Sequence, residues 1–149
     1  MNSTSVEAFL DTNILVYSVS TCREELHKAG IAASLAASKN YGLSAQVLQE
    51  FFVVVTRKGE NPLSREAAES YVREFAERTV VPLDSDLVLS AISVARRFGV
   101  SYWDAAILAA AEKLGAKTLY SEDLAHGQSY GSVQVLNPFR ELAPQNVPA

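Results

Sequence analysis

Short apolar, β-branched runs alternate with longer stretches of helical periodicity along this 149-residue chain, and that alternation restricts it to an α/β domain on a mainly parallel sheet. Parallel neighbours cannot be joined by a tight turn; each pair needs a crossover, and the helical stretches supply it. Strands are expected at 6–10, 42–44, 79–83, 118–120 and 133–136, and helices at 13–18, 22–39, 45–58, 64–77, 84–98 and 103–114. The punctuation agrees. Segment 59–62 closes one helix before Ser64 caps the next, with Ala67 where a capping-box acid would stand. Gly99 and Gly115 follow helical patterns, where a left-handed C-cap residue is wanted. With 48% hydrophobic residues the chain can bury one ordinary core, so a single domain is expected over 1–142, followed by a frayed tail at 143–149.

Four carboxylates stand where a charge is awkward. Asp11 follows the apolar run Ala8-Phe9-Leu10, and Asp123 follows Thr118-Leu119-Tyr120 in the same strand-then-turn manner. Both belong at strand carboxyl ends, the side on which open α/β sheets form their functional crevice. Glu50 interrupts the apolar stretch of one helix, flanked by Val47 and Val54, and Asp104 opens another, with Ile107, Leu108 and Ala111 at spacings that put it on the apolar side. A buried, unpaired carboxylate normally takes up a proton, so several in one place call for a counter-charge. Oxygen ligands of this kind suit Mg²⁺ or Mn²⁺.

Each acid also has a plainer use. Asp11 can N-cap the helix that follows it, and Asp123 can cap a turn before Leu124. Ser101 and Asp104 have the spacing of a capping box, and Glu50 can pair with a nearby arginine. All four plain uses together are a less economical account than one shared site. Such a site points to metal-assisted hydrolysis of a phosphodiester, in which a held cation polarises the phosphoryl oxygen and lowers the pKa of a bound water. Asp11 and Asp104 are the expected direct ligands, with Asp123 and Glu50 acting through water or on a second ion. Thr12, Asn13 and Ser121 are placed to orient them by hydrogen bonds.

Composition narrows the alternatives. Cys22 is the single cysteine, so no intramolecular disulfide forms and a reducing cytoplasm fits. No basic residue precedes Arg23, and Asp11 splits the early apolar stretch, so no secretory leader is expected. No apolar run approaches the roughly 18 residues a membrane span needs. The net charge is −4, and setting aside the four acids leaves 17 − 4 = 13 acidic against 13 basic residues, so nucleic acid is permitted rather than implied. Arg57-Lys58 and Arg96-Arg97 read first as solvated helix faces. His27 and His126 are isolated, which disfavours zinc, and no Gly-rich phosphate loop or nucleophile elbow occurs. Tyr102 and Trp103 read as packing beside Asp104 before base stacking. Ile14, Leu15, Tyr17, Phe51 and Phe52 read as core, with a groove for a partner helix or strand as the sharper alternative.

The pieces Phe9-Leu10-Asp11-Thr12-Asn13, 44–50 (SAQVLQE), Tyr102-Trp103-Asp104-Ala105-Ala106-Ile107 and Ser121-Glu122-Asp123-Leu124 resemble, in order and spacing, the successive motifs of PIN-domain ribonucleases. Within that superfamily the short single-domain build and the stretch from Ser121 through Gly127-Gln128 to Asn137-Pro138-Phe139 resemble the VapC-like toxins of type II toxin-antitoxin modules. The resemblance covers nearly the whole chain. It implies a three-layer α/β/α fold with a five-stranded parallel sheet, and a magnesium-dependent endoribonuclease with Asp11, Glu50, Asp104 and Asp123 as its acidic quartet. It further implies an RNA substrate, a homodimer and a cognate antitoxin partner. Family members often carry Thr where this chain has Ser121, and Glu122 stands beside Asp123. A non-catalytic RNA- or protein-binding domain of the same fold is the alternative. A receiver domain would show paired acids after the first strand and Lys after the last, where Thr12 follows Asp11 and Asn137 follows Leu136. A haloacid-type phosphatase would need Asp where Asn13 stands.

Overall fold

The computed structural model describes residues 6–57, 59 and 61–140, so the expected tail at 143–149 lies outside the described residues. Its elements run β1 (Ala8–Leu10), α1 (Thr12–Ser18), α2 (Leu26–Ala37), β2 (Tyr41–Ser44), α3 (Ala45–Arg57), α4 (Arg65–Phe75), β3 (Thr79–Val81), α5 (Ser85–Phe98), α6 (Tyr102–Lys113), β4 (Thr118–Tyr120), β5 (Ser129–Tyr130) and β6 (Val133–Leu136). The sheet order is β3-β2-β1-β4-β6-β5, parallel throughout except for the β5–β6 pair. Five parallel strands were expected, and all five occur. The sixth, β5, corrects the count: Gly131-Ser132 closes a two-residue hairpin that pairs Tyr130 with Val133. A two-residue strand carries no alternation to read, but Gly-Ser between β-type residues is the signal that marks it.

The connections explain the layers. From β1 the chain steps to β2 and β3 in one direction, then returns past β1 to β4 and β6. Right-handed crossovers therefore put α1 to α4 on one face and α5 and α6 on the other. Helix contacts follow that division, with α1 packing on α2 and α3, α3 on α4, and α5 on α6. The reversal falls between β1 and β4, so the crevice of the sheet opens at their carboxyl ends. The expected single helix over 22–39 is a 3₁₀ turn at Arg23–Glu25 followed by α2.

Local chemistry sets the boundaries. The Ser64 hydroxyl accepts from Ala67 N, and the Ser101 hydroxyl accepts from Asp104 N, capping α4 and α6. Gly99, at φ 70°, ends α5 in the left-handed region, which costs glycine nothing. Phe9, Leu43, Leu119 and Val135 from the strands meet Ile14, Leu15, Val47 and Phe51 from the helices in one core, all fully buried.

Helix α6 departs from a one-sided pattern. Every residue of 105–111 is buried, because α6 packs at once on α5 and on β2, β4 and β6. Alanine at 105, 106, 109, 110 and 111 keeps the helix close to all of them. We expect Ala110→Leu to overfill this seam and lower stability by about 1–3 kcal/mol, read as a reduced urea midpoint. Ala37→Leu at the exposed end of α2 should leave the midpoint unchanged.

Candidate active site

Asp11 leaves the end of β1 directly opposite Ser121. The pairing of Leu10 with Tyr120 brings the two strands into register there, and Asp11 N donates to Tyr120 O at 3.1 Å. The Asp11 carboxylate is 8% exposed and takes two bonds, one per oxygen: Thr12 N to Oδ1 at 2.7 Å and the fully buried Ser121 hydroxyl to Oδ2 at 2.8 Å. Asp11 is thus also the N-cap of α1, so its plain use and its placement in the site coincide.

From Asp11 the contacts spread to the other acids through the residues expected to orient them. Thr12 Oγ1 donates to Glu50 Oε1 at 2.7 Å, and Gln46 Nε2 donates to Glu50 Oε2 at 3.2 Å. Glu50 is therefore held by a hydroxyl and an amide, rather than by the arginine its plain reading supposed. Asn13 Nδ2 donates to Asp123 Oδ2 at 3.3 Å, and Asp123 N donates to Ser121 Oγ at 3.1 Å. Asp104, half-buried in the first turn of α6, joins the group through its charge, which acts on Asp123. Thr12, Asn13 and Ser121 tie Asp11, Glu50 and Asp123 together, and α6 brings Asp104 to their edge.

The electrostatics reflect the crowding. Burial pushes the Asp11 carboxyl up from 3.8 to about 6; the bonds from Ser121 and Thr12 oppose this, and the charges of Asp123 and Glu50 add to it. Asp123 is raised as well, by loss of hydration first and then by the charges of Glu122 and Asp104. Among the described residues no three acidic, His or Cys groups stand close enough to form a finished cage for an ion. The donor set fits a hard divalent cation in kind: all oxygen, crowded with like charge, with Asp11 buried and bonded only by uncharged donors.

Other expectations resolve unevenly. Trp103, read as packing, is 65% exposed and meets Tyr102 edge-to-face at 5.0 Å, whereas Tyr102 is half-buried against the core. Ile14, Leu15 and Phe51 are core, while Tyr17 and Phe52 are only partly buried. The apolar groove lies elsewhere, in a cavity of about 340 Å³ between the end of α1, the 3₁₀ turn, α3 and the loop before α4. Val16, Val19, Val54, Val55 and Leu63 form its apolar lining. His126 braces a loop, its Nδ1 accepting from Asn137 N at 2.9 Å. Arg96 and Arg97 are exposed at the last turn of α5, as a solvated face requires. Among the described residues no helix is long and apolar enough to cross a membrane.

Carboxylates gathered at the switch point of a parallel sheet place this chain among the α/β proteins that present an acidic crevice beyond their strand ends. The PIN domain family model matches residues 8–128, and the chain belongs to that family. The fold is shared with a toxin-antitoxin complex from Klebsiella pneumoniae at 18% identity and TM-score 0.63, covering 89% of this chain and 98% of that one. It is shared with Mycobacterium tuberculosis VapC20, a Sarcin-Ricin loop cleaving toxin, at 24% identity and TM-score 0.62, covering 78% and 90%. DNA-bound VapBC from Salmonella typhimurium is similar at 17% identity and TM-score 0.56, covering 87% and 96%. No curated protein sequence matches.

The Asp11 shift fixes a sign. A folded-state value near 6 against 3.8 unfolded means that the fold holds the proton more tightly, so stability is lost as pH rises from about 4 through 6. The loss approaches about 2–3 kcal/mol once the group is fully ionised. Asn at this position keeps an acceptor for Thr12 N and a donor for Ser121 without the charge. In EDTA, Asp11→Asn should therefore gain stability over the parent progressively between pH 4 and 7, measured by urea unfolding. A difference that did not vary with pH would contradict the assignment.

Proposed function

We propose that this PIN-domain protein is a Mg²⁺- or Mn²⁺-dependent endoribonuclease, the toxin of a type II toxin-antitoxin pair. The carrying observation is the set of bonds through Thr12, Asn13 and Ser121 that gathers Asp11, Glu50 and Asp123 at the switch point of the sheet. A bound divalent ion would polarise the phosphoryl oxygen and supply a nucleophilic water. Asp11 and Asp104 would hold it directly, with Glu50 and Asp123 acting through water or on a second ion.

The protein's own groups do the positioning. Ser121 and Thr12 N fix both oxygens of Asp11, so its carboxylate meets the substrate side in one orientation. Thr12 and Gln46 fix Glu50 in the same way. The exposed ring of Trp103, held by Tyr102 next to Asp104, offers a face on which a base of the RNA can stack.

The partners follow from surfaces. The groove between α1 and α3 presents an apolar lining to an antitoxin segment, and the structural relatives include toxin-antitoxin complexes. Leu89 and Ile92, three residues apart on α5, are exposed together with Leu83 just before it, and this stripe suits a homodimer contact. The cytoplasm, where RNA and antitoxin meet, is the matching compartment.

Incubating the purified protein with structured RNAs should give cleavage with Mg²⁺ or Mn²⁺ and none with EDTA. Asp11→Asn and Asp104→Asn should each lower the rate at least a hundredfold while staying folded. Equal cleavage by either variant would assign the activity to a contaminant or another site. Retained RNA binding without any cleavage by the parent would favour the non-catalytic alternative. Trp103→Ala should raise KM for RNA several-fold at nearly constant kcat and unchanged thermal stability; an unchanged KM would remove the ring from the substrate path.

A further inference from the structure

Glu122 stands next to Asp123, and the motif alone does not say which of the two acids serves the site. Its side chain is engaged on the far side. Glu122 Oε1 accepts from the Tyr17 hydroxyl of α1, and Oε2 accepts from Lys28 Nζ of α2 at 2.8 Å. Lys28 also donates to the Tyr17 hydroxyl at 3.3 Å, and its Nζ lies 4.9 Å from the centre of the Tyr17 ring and 5.4 Å from that of Phe139. The two rings pack edge-to-face at 5.3 Å, so the ammonium sits against aromatic faces as well as a carboxylate. Glu122 is 19% and Lys28 38% exposed at the side chain. By contrast the ion pair Arg73–Glu69 is a single-turn contact on the exposed surface of α4. Lys28–Glu122 instead joins segments 94 residues apart.

Asp123 needs such support. Its carboxylate is held by one long bond from Asn13, at 3.3 Å, and the residue is exposed. The turn that carries it is anchored on one side by Ser121 against Asp11 and on the other by Glu122 against α1 and α2. We propose that Glu122 is a positioning residue: Lys28 and Tyr17 clamp it so that the turn after β4 presents Asp123, and not Glu122, to the acidic site. This rests on the metal-nuclease reading above.

The charges make the test discriminating. If Lys28 acted on the site only through its field, removing it would leave the site more negative and tighten a divalent ion; as a clamp, removing it frees the turn and loosens the ion. Mn²⁺ binding without RNA, followed by titration calorimetry, should be three- to tenfold weaker in Lys28→Met and in Glu122→Gln than in the parent, and restored in Lys28→Arg. With RNA, kcat at subsaturating Mn²⁺ should fall alongside while KM for RNA holds. Tyr17→Phe, which removes only the hydroxyl, should weaken Mn²⁺ in the same direction and serves if Lys28→Met does not fold. Lys28→Met, or Tyr17→Phe in its place, binding Mn²⁺ as tightly as the parent would overturn the clamp, even if its melting temperature fell. A parent whose Mn²⁺ binding is absent, or is unaffected by Asp11→Asn, would overturn the metal reading itself and the clamp with it.

Discussion

The bond from the buried Ser121 hydroxyl to Asp11 Oδ2 is the contact on which the rest of the site is arranged. It joins the ends of two neighbouring parallel strands, and it does so at the point where the chain reverses its direction across the sheet. A carboxylate in that position costs free energy through lost hydration, which its two uncharged donors offset only in part. The fold tolerates the cost because the neighbouring parts depend on the same residue. Asp11 caps α1, and the first residues of α1, Thr12 and Asn13, reach Glu50 and Asp123.

The two helical layers contribute differently. On one face α3 brings Glu50 in at the border of its packed stripe of Val47, Phe51 and Val55, where a carboxylate can reach Thr12 without entering the core. On the other, α6 is buried on all sides over 105–111, and Asp104 lies in the turn just before that stretch. The Ser101 cap sets where α6 begins, and close packing by alanines sets how near it lies to the sheet; together they place Asp104. The Tyr17–Lys28–Glu122 group adds a third tie, from α1 and α2 to the turn after β4.

Much of this was legible from residue order. The five parallel strands and the helices appear within one or two residues of their expected positions at most ends, because β-branched runs, Ser caps and C-terminal glycines each act locally. The places where reading failed share a cause. Strand β5 is two residues long and exists only through its pairing with β6. Residues 22–39 hold enough helix formers to read as one helix, yet the chain tightens into a 3₁₀ turn at Arg23–Glu25 before α2 starts. Phe51 and Trp103 are both large aromatics beside an acid, and one is wholly buried while the other is largely exposed. The run 105–111 is covered all round, so the apolar positions 107, 108 and 111 mark no single face of α6, and Asp104 in its first turn is half-buried.

Residue order alone carried the fold class and the ends of most elements, and it named the acids expected to share a neighbourhood, because those follow from periodicity, capping chemistry and the cost of burying charge. How they are held came from the folded arrangement: which donor meets which oxygen, that Thr12 reaches Glu50 while Asn13 reaches Asp123, and that Glu122 is turned toward Lys28 and Tyr17. Such partners lie up to 110 residues apart along the chain. Their meeting is set by sheet register and crossover hand, which no local pattern encodes.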